Sequence, residues 1–138
     1  WLMESHIPQR IGSLHPNIAP YGEILNTKDA KQIVLAIGSN THFKGLCEVL
    51  DLNELTNDSR FISNQERVKN RGELHQCLQE KAVSQDSSIL MKEFLEKNIP
   101  AGIIRNLKEV FEEKSAQNLV RMEDETKRVS QIAFKISS

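Results

Sequence analysis

Ile33-Val34-Leu35-Ala36-Ile37 is the longest apolar run in the chain, and it limits what the rest can build. It is dense in β-branched residues, and Gly38-Ser39-Asn40 closes it, so Gln32 to Ile37 reads as a buried strand. It is far too short to cross a bilayer. Upstream, Glu23 to Leu25 reads as a second strand, and the intervening Asn26-Thr27-Lys28-Asp29-Ala30-Lys31 is polar and rich in turn formers. The pair predicts an antiparallel hairpin whose second strand is buried.

Helical signals fill the middle of the chain. Phe43, Leu46, Cys47 and Leu50 recur at i, i+3, i+4 and i+7, with Asn40 or Thr41 as the cap. Ser63-Asn64-Gln65-Glu66 and Asn70-Arg71-Gly72-Glu73 have the form of capping boxes, the second opening a helix with Leu74, Cys77, Leu78 and Ala82 inward. Asp86 or Ser87 begins another, with Leu90, Met91, Phe94 and Leu95 inward, closed by Asn98 in a left-handed cap and by Pro100. Leu52, Leu55 and Phe61 are expected to pin the irregular stretch between helices into the core. Ala101 to Arg105 reads as extended, and Asn106-Leu107-Lys108-Glu109 as a further capping box. At the end, Ile132, Phe134 and Ile136 alternate with Gln131, Ala133 and Lys135, the pattern of a half-buried strand. Strands segregated from helices imply an α+β fold: a small antiparallel sheet, made of the N-terminal hairpin plus the C-terminal strand, covered by several short helices.

At 138 residues there is room for one core of ordinary size. Eighteen basic and 19 acidic residues are mixed along the chain, so no basic block marks a nucleic-acid partner. Aromatic residues make up only 5%, too few for a base-stacking platform. No signal peptide opens the sequence, and no segment calls for a membrane. Cys47 and Cys77 lie on apolar helix faces without a CxxC partner, which predicts buried free thiols and a cytoplasmic setting. Trp1-Leu2-Met3 reads as the tail of an apolar helix whose earlier turns belong to a longer polypeptide.

The chemistry-bearing stretch is Arg10-Ile11-Gly12-Ser13-Leu14-His15-Pro16-Asn17-Ile18-Ala19-Pro20-Tyr21-Gly22. Its glycines and prolines predict an ordered loop that presents backbone N–H groups. Two readings stand for His15: a turn histidine bonded to its own loop, or a residue lining, with Gly12, Ser13 and Asn17, the mouth of a site completed by another domain or subunit. No nucleophile elbow, Walker loop or GxGxxG occurs. His6, His15, His42 and His75 are scattered without metal-ligand spacing, so no metal is expected. His42 and His75 read as solvated helix positions, and Glu112, Glu113, Glu123 and Asp124 as solvated surface.

The loop resembles the G-N-x-H-P-N-x-x-P-Y segment of family III CoA-transferases, the CaiB/BaiF type. That group includes formyl-CoA, carnitine and bile-acid CoA-transferases, with α-methylacyl-CoA racemase as a relative. The resemblance continues through Gly38-Ser39-Asn40-Thr41-His42-Phe43 and Leu46-Cys47-Glu48-Val49-Leu50. It takes in Asp58-Ser59-Arg60-Phe61-Ile62-Ser63-Asn64-Gln65-Glu66-Arg67-Val68-Lys69-Asn70-Arg71, close to D-x-R-F-x-x-N-x-x-R-V-x-N-R, and then Asn98-Ile99-Pro100-Ala101-Gly102. In this order and at these separations the motifs cover about Arg10 to Arg121.

Members of that family move CoA from an acyl-CoA to a free carboxylate through an aspartate, which lies in a large Rossmann-like domain. No motif here matches that aspartate's surroundings. The resemblance therefore implies that residues 1–9 end a linker helix and residues 10–138 form the small domain, inactive alone and carrying no catalytic residue. Its implied site residues are Gly12, Ser13, His15 and Asn17, facing an acyl-CoA substrate. No tightly bound cofactor is expected, and the full-length protein is expected to be an interlocked homodimer. The chain has Ser13 where the family commonly has Asn, and it lacks the Gly-Gly-Gly run of some members' lids. A racemase-like enzyme and a non-catalytic protein-interaction module remain as alternatives.

Overall fold

A computed structural model describes residues 12–129, so the expectations for Trp1 to Met3 and for the strand around Ile132 to Ile136 lie outside the described residues. The backbone divides into two compact units, Trp1–Ile104 and Arg105–Ser138.

In the first unit, β1 (Tyr21–Asn26) pairs antiparallel with β2 (Gln32–Ala36), the hairpin that the sequence predicts. The third strand of this sheet is β3 (Ala101–Ile103), laid antiparallel along the other edge of β2. The apolar run thus occupies the middle of the sheet, and Ile33, Leu35 and Ile37 are fully buried. Between β2 and β3 come α1 (Asn40–Val49), a 3-10 turn (Asn53–Thr56), α2 (Asn64–Lys69), α3 (Arg71–Ala82) and α4 (Ser87–Glu96). Leu46, Leu50, Phe61, Leu74, Leu78, Leu90 and Phe94 from these segments close one core with the sheet. Leu52 and Leu55 reach the same core, as expected. Leu95, read as inward, is instead 77% exposed, because the inward face of α4 is already filled by Leu90 and Phe94.

Helix starts show where local chemistry decided and where tertiary contacts took over. Ser63 accepts the Glu66 N–H, as its capping-box form requires. Asn98 takes the left-handed conformation at φ 54. At α1 the cap is Ser39 rather than Asn40 or Thr41, since the Asn40 side chain is engaged by Arg67. Asn70 makes no side-chain cap; its amide donates to the carbonyls of Arg60 and Glu66.

The start of α4 is capped from a distance. Asp86 makes no side-chain bond there, and Asp29, 58 residues away, accepts both the Ser87 N–H (2.9 Å) and the Ser87 hydroxyl (2.6 Å). These bonds and one from the Thr27 hydroxyl hold the Asp29 carboxyl well below the ordinary carboxylate range. An acid whose pKa is depressed by folding stabilises the fold above its unfolded value of 3.8, and that contribution disappears as the pH falls below it. Asp29→Asn is therefore expected to lower the melting temperature at pH 7 and to flatten the decline below pH 4, as thermal melts across pH 2.5–7 would read (about one pH unit per step suffices).

In the second unit, α5 (Leu107–Glu112) opens with the capping box expected at Asn106 and Glu109, and α6 (Lys114–Gln117) follows. A hairpin of β4 (Val120–Glu123) and β5 (Thr126–Val129) comes next, turning through Asp124 and Glu125, both at positive φ. Such a two-residue turn matches the twist of the flanking strands. Among the described residues no helix is long and apolar enough to cross a membrane.

Candidate functional site

The segment from Gly12 to Pro20 is an ordered loop held almost entirely through its own backbone. Three side chains along α2 and the start of α3 do the holding. Asn64 donates its amide to the Asn17 carbonyl (2.8 Å) and accepts the Ala19 N–H (3.1 Å). Arg67 donates through Nε to the Ala19 carbonyl (2.9 Å), through Nη1 to the Phe61 carbonyl and through Nη2 to the Asn40 side chain. Arg71 donates through Nη2 to the carbonyls of both His15 (2.6 Å) and Ile18 (2.5 Å). Asn64 and Arg67, at i and i+3, share one face of α2, and Arg71 is the first residue of α3, after the break at Asn70.

Arg67 is buried, only 2% exposed, and its guanidinium lies over the Phe43 ring at 4.4 Å. Among the described residues no carboxylate is salt-bridged to it; neutral acceptors and an aromatic face surround the charge. Burial pushes its pKa down from the ordinary guanidinium value.

At its other end the loop leans on β1. The Ser13 hydroxyl donates to the Gly22 carbonyl (2.8 Å), and the His15 N–H donates to the Tyr21 carbonyl (2.9 Å). Gly22 has φ +80, and a Cβ there would stand 1.7 Å from the Ser13 carbonyl oxygen. The His15 ring accepts the Asn17 N–H at Nδ1 and meets the Tyr21 ring edge-on at 5.5 Å. The loop amides of His15, Asn17 and Ala19 are therefore all engaged within the fold. Gly12, Ser13 and Asn17 are exposed and His15 is half-buried.

Beside the loop lies an open cleft of about 460 Å³, lined by Ser13, Leu14, Glu23, Ile24, Arg71 and His75. Of the four residues singled out in the sequence, Ser13 is part of this lining. Glu23 is buried, its Oε1 lying 3.3 Å from Arg71 Nε and its Oε2 3.7 Å from His75 Nδ1. Burial raises the Glu23 pKa above the usual carboxylate value, and the charges of Arg71 and His75 oppose that rise. Glu23 Oε1, Arg71 Nε and His75 Nδ1 are buried without a hydrogen bond.

His75 is thus half-buried against an acid rather than fully solvated. In the sequence His75 reads only as a solvated helix position and Glu23 only as the start of a strand, yet each left a trace. Glu23 is an acid two positions from inward Leu25 on β1, and His75 stands one helical turn after Arg71. His42, read as solvated, is also half-buried, with Nδ1 enclosed and unbonded.

Elsewhere, Cys47 is buried with its thiol pushed up to about 12 by burial, and Cys77 is half-buried; both are free thiols. Glu112, Glu113, Glu123 and Asp124 are exposed, as expected. Among the described residues no group of His, Cys, Asp and Glu side chains is arranged to hold a metal ion.

Comparison with known proteins adds the wider context. A family model described as CoA-transferase family III matches residues 1–138. Human succinyl-CoA:glutarate CoA-transferase is 36% identical over 126 residues, covering 91% of this chain and 28% of the human protein. Succinate–glutarate CoA-transferase of Agrobacterium fabrum is 30% identical over 117 residues, covering 85% of this chain and 29% of that protein. Acetyl-CoA:oxalate CoA-transferase of Acetobacter aceti is 31% identical over 123 residues, 87% of this chain and 31% of its own length. The crystal structure of a CaiB/BaiF family protein from Brucella suis superposes with a TM-score of 0.87 at 29% identity, covering 99% of this chain and 36% of that one. The chain spans less than a third of the length of these three curated relatives.

Proposed function

The chain belongs to CoA-transferase family III, and from that membership we propose that it is the small domain of an enzyme moving CoA from an acyl-CoA to a free carboxylic acid. The observation that carries the proposal is the match of the whole chain to the family together with relatives named for CoA transfer. In this reading residues 1–9 end a linker helix and residues 10–138 form the domain. The chain supplies no catalytic residue; its contribution is a loop of fixed shape. Gly12, Ser13, His15 and Asn17 face the substrate in a site completed by the remainder of the enzyme, which works as a cytoplasmic homodimer without a tightly bound cofactor.

The geometry supports a presenting role. The loop is fastened by Asn64, Arg67 and Arg71 through main-chain atoms, so its exposed side chains are available to a ligand. These three fasteners fall within the segment that resembles D-x-R-F-x-x-N-x-x-R-V-x-N-R. The expected result is no CoA exchange from the 138-residue chain mixed with succinyl-CoA and labelled glutarate, and label entering the thioester pool with the family-length polypeptide that contains it. Turnover by the short chain refutes the division of labour. Exchange of the α-proton without label transfer refutes the transferase reading.

A further inference from the structure

We propose that Glu23 is a positioning residue: acting through Arg71, it fixes where the loop carries His15 and Ile18. The linkage stands on geometry alone, while its use in turnover rests on the CoA-transfer reading.

The strand β1 brings the acid in. Its pairing with β2 shifts register between Tyr21 and Ile24, and a bulge of this kind re-aims a side chain. Glu23 is 3% exposed, with Oε1 3.3 Å from Arg71 Nε. Both atoms are enclosed and neither has a hydrogen-bond partner, so attraction between opposite charges holds them face to face. Solvent and salt screen a buried pair far less than an exposed one. The same enclosure keeps a ligand in the cleft from touching Glu23 Oε1 or Arg71 Nε. Through this oxygen Glu23 works on Arg71 and not on substrate.

Arg71 passes the constraint on. A guanidinium is planar and rigid, so fixing Nε fixes the direction in which Nη2 points. Nη2 donates to the His15 and Ile18 carbonyls, the two ends of a turn centred on Pro16 and Asn17. Without the acid, the Nε end loses its counter-charge, and the guanidinium can swing toward the solvent that reaches 17% of the Arg71 side chain. The grip then loosens first at His15, while Asn64 and Arg67 still hold Asn17 and Ala19.

The test reads hydrogen exchange at the His15 amide, which donates to the Tyr21 carbonyl, against the Leu90 amide in α4. In the 138-residue chain, Glu23→Gln is expected to speed exchange at His15 about tenfold more than at Leu90. Arg71→Gln should do the same, and adding Glu23→Gln to it should change His15 exchange by less than about twofold. Equal acceleration at His15 and Leu90, or additive effects of the two substitutions, overturns the proposal. Glu23→Asp keeps the charge but withdraws it by one methylene, and it carries the test should Glu23→Gln not fold. Selective acceleration at His15 then supports the linkage, and uniform acceleration overturns it. In the family-length polypeptide, Glu23→Gln is expected to raise KM for succinyl-CoA about tenfold, with kcat within about twofold of the parent. An unchanged KM overturns the role in turnover. A parent that exchanges no label refutes the CoA-transfer reading instead, and the amide ratios still decide the linkage.

Discussion

Arg67→Ala is expected to cost the fold about 2–6 kcal/mol, at about 1–3 kcal/mol for each of the buried Ala19 and Phe61 carbonyls, a large share of the roughly 5–15 kcal/mol that holds a domain of this kind together. The Arg67 side chain serves the Ala19 carbonyl, the Phe61 carbonyl and the Asn40 side chain, all from within the protein. Removing it leaves the Ala19 and Phe61 carbonyls enclosed without a donor and strips a cation from the Phe43 face. Urea denaturation followed by circular dichroism measures the loss. Arg67→Lys tests whether charge or shape matters. One ammonium cannot reproduce a planar fork reaching three acceptors, so most of the loss should persist. A lysine variant as stable as the parent would show that the fork geometry is unimportant.

Gly22→Ala is the second large effect. The φ of +80 alone costs an L-residue roughly 1–2 kcal/mol, and the new methyl would stand 1.7 Å from the Ser13 carbonyl oxygen. Backbone cannot yield as a flexible side chain does, so the loop must lift from β1 and break the bond from the Ser13 hydroxyl to the Gly22 carbonyl. The expected outcome is a lower denaturation midpoint together with amide shifts concentrated at residues 13–15. Gly38→Ala is the control, because a Cβ there meets nothing within 4 Å. Equal effects from the two substitutions would refute the assigned role of Gly22.

Much of the fold could be read ahead of the coordinates because it is written in local patterns. The β-branched run at Ile33 to Ile37, the spacing of Phe43, Leu46, Cys47 and Leu50, and the caps at Ser63 and Asn106 each rest on neighbours within one or two turns. Expectations failed where a distant partner took over. Arg67 occupied Asn40 so that Ser39 became the cap; α4 does begin after Asp86 as read, but Asp29, not Asp86, bonds its first residue. The loop was recognisable from its glycines and prolines, but what grips it was not. Asn64, Arg67 and Arg71 could be read only as parts of two helix starts, and nothing local says that their partners include carbonyls some fifty positions upstream. The Glu23–His75 approach was hidden for the same reason, since a strand acid and a helix histidine meet only after the chain has folded back.

The way the loop is anchored has a consequence for how such a domain diversifies. Asn17, His15 and Ile18 are gripped at carbonyls that every amino acid possesses, and Ala19 at its carbonyl and at an N–H that only proline lacks, so the identity of the side chains there is largely unconstrained by the grip. Mutational drift can redecorate this rim while its contour is preserved. A library randomised at Ser13 and Asn17, with Gly12, Arg67 and Arg71 untouched, should yield mostly folded members with differing ligand preferences.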